Sequence, residues 1–454
     1  MKILRGLAEG RKALDRDAFA EEQVASPELM EGIKRIFGQP LTPEETVARI
    51  ISQVSRRGDD AVREYTKLVD GVDLAAFELG RDDISRAASE VPPEVAEALG
   101  RASSRIRQFH AATLSRPWMD MENGFGEMIT PIERVGIYIP GGRAAYPSTV
   151  LMTAIPARVA GVKEVFLATP PRGDQGPSPA VMAAAQVVGV SRVFQVGGAQ
   201  AIAAMAYGTE TIPRVDMICG PGNIFVTLAK KMVYGQVGID GLEGPTETLI
   251  IADETANPVL CAADLLGQAE HDLLATPALI TTSESLLSPI REEIKKQLDG
   301  LSRKDTASSS IESRGVFVLV DTLDEALELA NDYAPEHLCL MVKDPWDAVG
   351  KVRHTGGIFL GDHSPESMGD YVAGPSHVMP TGGSARFNSY LGVNQFLKRT
   401  PVVALDPDTA RRFTATAAIL ARAENFDAHA RSVELRMELQ DKSSQSDSGS
   451  SRGT

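Results

Sequence analysis

Apolar positions recur at two different periods along the 454-residue chain, and the change of period divides it. Up to about residue 116 the period is helical. Val47, Ile50, Ile51 and Val54 fall at i, i+3, i+4 and i+7, which lines one face of a helix. Thr42-Pro43-Glu44-Glu45, just before them, is a capping box with proline at the first helical position. A second helix is expected from 93 to about 114. From about residue 130, short β-rich apolar runs take over, at 135–139, 164–168, 192–196, 215–219, 248–252, 278–282, 316–320, 337–342 and 357–360. Helical segments such as 149–159, 180–188, 223–233 and 258–270 lie between most of them. This alternation predicts parallel sheets covered on both faces by helices. Two sheets suit nine runs better than one very wide sheet, and the glycine-rich stretch 235–244 is where they divide.

Beyond residue 361 a Gly/Pro/Ser-rich stretch continues to about 390, a length of irregular chain that is usually functional. Helices are expected at about 407–421 and 425–440, and the serine-rich tail after them is expected to be disordered. The domain reading is a helical region at 1–128, parallel-sheet domains at 129–240 and 241–383, a helical arm at 384–441 and a tail at 442–454.

Composition narrows the function. A formal net charge of −15 argues against a general binder of nucleic acid or anionic membranes, both of which need clustered positive charge. Cys219, Cys261 and Cys339 are far apart, so no cysteine zinc module is present, and a reducing cytoplasm fits best. No run reaches the ~18 apolar residues that would span a bilayer, and the N-terminal stretch has no secretory or transit pattern. Histidine is the informative count, with seven in all and six of them between residues 271 and 429.

Three glycine-rich loops follow strands of the first set: Pro140-Gly141-Gly142-Arg143, Gly197-Gly198-Ala199-Gln200 and Gly220-Pro221-Gly222-Asn223. In doubly wound sheets ligands bind at this edge, where glycine admits a phosphate and the next helix N-terminus favours its charge. Each loop alone is equally well a tight turn; three together point to a nucleotide. The Gly-x-Gly-x-x-Gly and P-loop fingerprints are absent. Gln268 and His271 fall three apart on a predicted helix, a spacing that suits a metal pair or simply a solvated face. Glu336 and His337 open a strand, an acid beside a base suited to proton transfer near neutrality. Asp362, His363, Glu366, Asp370 and His377 crowd the long loop, and Glu424 and His429 flank the last helix. From these residues alone a zinc hydrolase stays open, as does a binding protein of periplasmic-receptor type, although the missing signal and the dense His/Asp/Glu set count against the latter.

Taken in order, these motifs resemble the histidinol dehydrogenase family. Val135-Gly-Ile-Tyr-Ile-Pro-Gly-Gly142, Gly197-Gly-Ala-Gln-Ala201, Gly220-Pro-Gly-Asn-Ile-Phe-Val226, Gly244-Pro-Thr-Glu-Thr248, Asp264-Leu-Leu-Gly-Gln-Ala-Glu-His271, Ala334-Pro-Glu-His-Leu338, the 362–383 loop and Asp427-Ala-His429 carry the likeness. It implies two incomplete Rossmann-like domains, a helical N-terminal segment and a small helical C-terminal domain. It also implies NAD and one zinc per subunit, and a cytoplasmic homodimer whose C-terminal piece reaches the partner's site. Carried over by position, the zinc ligands fall on Gln268, His271, Asp370 and His429. Glu336 and His337 are then the catalytic pair. Substrate contacts fall on Thr246, His377 and Glu424 as well as on the ligands and His337, and NAD contacts on Tyr138, Gln200 and Asn223. The implied reaction is a four-electron oxidation of L-histidinol through L-histidinal to L-histidine. Thr246 where serine is frequent, Gly267, Gly374-Pro-Ser-His377 and the residues after His271 depart from the commoner pattern, which leaves room for another small polar alcohol such as a sulfopropanediol. His110, His354 and His363 receive no role.

Overall fold

The structure, a computed structural model, describes residues 2–16, 27–141, 145–173 and 176–449. Gly142 and Arg143 of the first glycine loop lie outside the described residues. The described chain begins with a strand, β1 (Lys2–Arg5), where the local pattern predicted helix. A ladder formed with distant residues overrides the local signal: β1 pairs in parallel with 316–319. The helix Pro43–Arg57 forms as expected. Thr42 Oγ1 accepts from Glu45 N at 3.1 Å, Glu45 Oε2 accepts from Thr42 N at 2.8 Å, and Val47, Ile50, Ile51 and Val54 are buried.

Two compact units follow from the chain's internal contacts. One comprises residues 1–114 and 131–396, the other 115–130 and 397–454. The second unit holds a small sheet that the apolar pattern did not predict, β2 (Trp118–Asp120) antiparallel to β3 (Phe125–Pro131) and a last strand, Leu397–Val403, beside β3. Its helices Pro407–Ala423 and Asp427–Gly449 pack on each other. The last helix runs through half of the tail expected to be disordered, because extending a formed helix costs far less than starting one; residues 450–454 lie outside the described residues.

In the first unit, β4 (Arg134–Tyr138), β5 (Glu164–Ala168), β6 (Arg192–Phe194), β7 (Met217–Cys219) and β8 (Gly238–Ile239) form a parallel sheet in the order β6-β5-β4-β7-β8. A second parallel sheet contains β9 (Glu247–Ala252), β10 (Thr276–Thr281), β11 (Val316–Leu319), β12 (His337–Met341) and β13 (Gly357–Leu360), ordered β1-β11-β10-β9-β12-β13. All nine predicted runs are therefore strands, with ends within two residues of expectation. Setting β1 aside, both sheets share one winding order, with reversal points between β4 and β7 and between β9 and β12. Alternate residues of the second sheet enter separate cores. Leu249, Ile251, Leu338 and Leu340 face one layer of helices, and Ile250, Ala252, Cys339 and Met341 the other. Among the described residues no helix is long and apolar enough to cross a membrane.

Candidate active site

Two groups of side chains stand out, one on each sheet. At the carboxyl edge of the first sheet, Tyr138 ends β4 and is buried, its hydroxyl accepting from Gly198 N at 3.1 Å. Gly220 follows β7 at φ +112, and a Cβ there would collide with the Tyr138 carbonyl oxygen, so only glycine lets this loop approach β4. Asn223 caps the helix Ile224–Val233, its Oδ1 accepting from Phe225 N at 3.1 Å and Val226 N at 3.2 Å. That cap uses two of the amides a bound anion would want, and leaves Nδ2 as the donor Asn223 offers a ligand. Gln200 lies on the helix Gly198–Tyr207, buried, with Nε2 donating to Asp70 Oδ2 at 3.3 Å.

The second group sits at the amino edge of the second sheet, opposite to where doubly wound folds usually bind ligands. Pro335 and Glu336 lead into β12, whose first residue is His337, paired in register with Thr248 of β9. The preceding Ala334 is left-handed at φ 52, a conformation that costs a residue with a Cβ about 1 kcal/mol. Arg16 holds this turn, donating to the carbonyls of Tyr333 (2.7 Å) and Ala334 (3.2 Å) while its guanidinium pairs with Glu247. Glu336 Oε2 accepts from the Thr246 hydroxyl at 2.7 Å and from Glu247 N at 3.1 Å, an amide the strand's amino end leaves open.

Burial sets the charges. Glu336 and Glu366 are buried carboxyls with pKa pushed well above the usual range, first by desolvation. Asp370 is raised to about 7 for the same reason. His337 is pushed down to about 3 by burial, with His271 and His377 adding to the effect, so its imidazole is neutral. Nδ1 of His337 lies 3.3 Å from the Glu247 carbonyl, which only accepts, so the ring proton is on Nδ1. Nε2, left with its lone pair, is buried with no hydrogen-bond partner among the described residues. His377 is oriented in the same way, Nδ1 donating to the Asp370 carbonyl at 2.9 Å and Nε2 accepting from the Thr149 hydroxyl at 3.2 Å. The Gln268 amide is best satisfied with its nitrogen toward Glu366 and Thr248 Oγ1 (3.1 Å) and its oxygen toward Thr246 and Glu247 N (3.0 Å).

Comparisons with known proteins identify the family. The histidinol dehydrogenase family model matches residues 39–437. A histidinol dehydrogenase of Dehalococcoides mccartyi (strain CBDB1) is 49% identical over 440 residues, covering 96% of this chain and 100% of its own. One from Deinococcus radiodurans is 48% identical over 442 residues, with the same coverage. The crystal structure of histidinol dehydrogenase from Elizabethkingia anophelis superposes with a TM-score of 0.89 at 33% identity, over 97% of this chain and 99% of that one. The chain belongs to the histidinol dehydrogenase family. It is thereby an NAD-dependent oxidoreductase of histidine biosynthesis.

Of the residues singled out by the histidinol dehydrogenase resemblance, Thr246, Gln268, His271, Glu336, His337, Asp370 and His377 come together at the second sheet. His271 lies two residues past the end of the helix Pro258–Ala269, not within it as the pattern predicted, because the helix is capped at Glu270. Asp370 lies on a short helix, Glu366–Tyr371, inside the stretch expected to be irregular. Tyr138, Gln200 and Asn223 stand on the first sheet. Glu424 and His429 belong to the second unit, where both line an open cavity of about 570 Å³ with Leu420, Phe426 and Ser432. Two residues without an assigned role also touch these groups. Glu366, four positions before Asp370, is bonded to Thr248 and lies 3.9 Å from His337 Nδ1; its place in the acid-rich loop was the available signal. Asp70 meets Gln200, and its position in an ordinary helical pattern gave no signal at all.

Proposed function

We propose that the chain oxidises L-histidinol to L-histidine through L-histidinal, reducing two NAD in turn. The observation that carries this reading is the neutral, buried His337 with Nε2 unpartnered beside Glu336. His337 Nε2 would take the hydroxyl proton as the carbinol carbon gives up hydride. Water would then add to the aldehyde, giving a proton to Glu336 while His337 returns its proton to the carbonyl oxygen, and the again neutral His337 would take a hydroxyl proton of the diol as the second hydride leaves. Keeping both proton acceptors in one buried cluster holds the reactive aldehyde until it is an acid. In this reading Tyr138, Gln200 and Asn223 hold NAD, and Thr246, His377 and Glu424 orient histidinol. Because the Thr246 hydroxyl already bonds Glu336, its contribution includes placing that carboxyl.

Gln268, His271 and Asp370 supply an amide oxygen, an imidazole and a carboxylate, a nitrogen and oxygen set that suits zinc. Among the described residues Arg16 neutralises Glu247, but Glu336, Glu366 and Asp370 pair with no Lys or Arg, so these three lack the positive charge such a cation would bring. Bound zinc would anchor the imidazole and amine of the substrate, a templating role that holds the alcohol carbon toward the nicotinamide. The set has its fourth donor in His429, on the other unit; among the described residues no three His, Cys, Asp or Glu of one chain group as a metal site. We infer a homodimer in which the arm 384–441 of one subunit brings His429 and Glu424 to its partner. Exposed Phe413, Ile419, Leu420 and Leu439 on the arm's helices, and Phe426 between the helices, support it, as apolar surface of this extent marks a protein contact. Three free, buried cysteines are in keeping with a reducing cytoplasm.

NADH released from limiting L-histidinol tests the reading. Two NADH per histidinol are expected, and absence of turnover with zinc supplied would overturn it. A hydrolase would turn over its substrate without NAD, and a sulfopropanediol-type enzyme would prefer that alcohol.

A further inference from the structure

Asp70 is the last residue of the helix Asp59–Asp70, ahead of Gly71 in the left-handed conformation. A carboxylate there faces the negative end of the helix dipole, an unfavourable place. It is half-buried, and burial raises its pKa to about 6 with no cation beside it among the described residues. Its contacts are instead with the first sheet. Gln200 Nε2 donates to Asp70 Oδ2 at 3.3 Å, and the carboxylate is close enough to raise the pKa of the buried Tyr138 hydroxyl. In doubly wound folds the acid that binds the adenosine ribose follows the second strand in sequence. Here that strand is β5, and it runs into Thr169-Pro170-Pro171-Arg172, with no acid; Asp174 lies outside the described residues.

We infer that Asp70 supplies the missing ribose carboxylate from outside the sheet, accepting hydroxyl protons from the adenosine ribose of NAD and excluding the 2′-phosphate of NADP. The inference rests on the assignment of Tyr138 and Gln200 to NAD. A ribose diol offers two donors to an acceptor that among the described residues has one amide partner. A 2′-phosphate would instead set further negative charge against a partly desolvated carboxylate that no cation neutralises among the described residues. Asn at this position would keep the shape and lose both the acceptor strength and the repulsion.

Binding of NAD, NADP, ADP-ribose and 2′-phospho-ADP-ribose to the full-length, zinc-loaded protein tests this, with Asp70→Asn beside wild type. Asp70→Asn should weaken NAD and ADP-ribose by roughly 3- to 10-fold and lower the preference over the 2′-phosphorylated forms by at least about 10-fold. The KM for histidinol at saturating NAD should stay near wild type, which separates a local effect from a damaged fold. An unchanged NAD-to-NADP ratio overturns the inference, even where Gln200→Ala weakens NAD. If Gln200→Ala and Tyr138→Phe both leave NAD binding unchanged, the underlying assignment fails and takes this one with it.

Discussion

The three histidines of the candidate site are held toward the neutral form. His337 is held uncharged by burial, and its tautomer is set by a backbone carbonyl, so its free nitrogen is a ready proton acceptor. His271 and His377 are also held toward the neutral form by burial. Among the described residues His337 Nε2 has no hydrogen-bond partner, whereas His377 Nε2 meets the Thr149 hydroxyl. His337→Ala should lower kcat by at least about 100-fold, the scale of a lost general base, with zinc content near wild type. His271→Ala should lower zinc content itself, read by metal analysis after dialysis. Full zinc in the second variant would refute the ligand assignment. Residue identity was legible in the sequence here, since every proposed ligand and base sits in a recognisable motif. Partnership was not. Glu366 and Asp70 meet residues 98 and 130 positions away, Gln268 and Gln200, and no local pattern encodes such pairings.

At the level of elements, the apolar period revealed the strands but could not show which end of a sheet would be used. The first sheet follows the usual rule, with its glycine loops at the carboxyl edge. The second places its reactive cluster at the amino edge, where the open N–H of Glu247 holds the Glu336 carboxyl. β1 escaped notice because a strand of four residues is defined by its partner. The glycine loop at Gly220 has a further support the sequence hid. Lys230 is fully buried, with Nζ 2.5 Å from Asp240, 2.8 Å from Glu243 and 3.1 Å from the Gly220 carbonyl, while Asp240 accepts from Gly220 N at 2.6 Å. Removing the cation strands two buried acids. Lys230→Met should therefore cost about 3–5 kcal/mol in urea unfolding, as breaking a buried pair does. A loss below about 1 kcal/mol would show that the acids simply take up protons, a route left open because burial already raises the Glu243 pKa to about 6.

For the whole molecule, the net charge of −15 speaks to solubility, and an anionic cofactor must be held by local amides against the overall sign. The larger question is how many chains make one site. The proposed ligands are split between two units of the chain, with Gln268, His271 and Asp370 on one and His429 on the other. If the arm completes its partner's site, His271→Ala and His429→Ala damage different halves of a shared centre. In a mixed dimer both lesions then fall in one site, and the other site is whole. Unfolding and refolding the two inactive variants together should restore activity, up to about a quarter of wild type when subunits pair at random in a two-fold dimer. If each chain builds its own site, every site keeps one lesion and the mixture stays inactive. Failure to recover activity, with dimers present by sedimentation, would therefore place His429 in the site of its own chain.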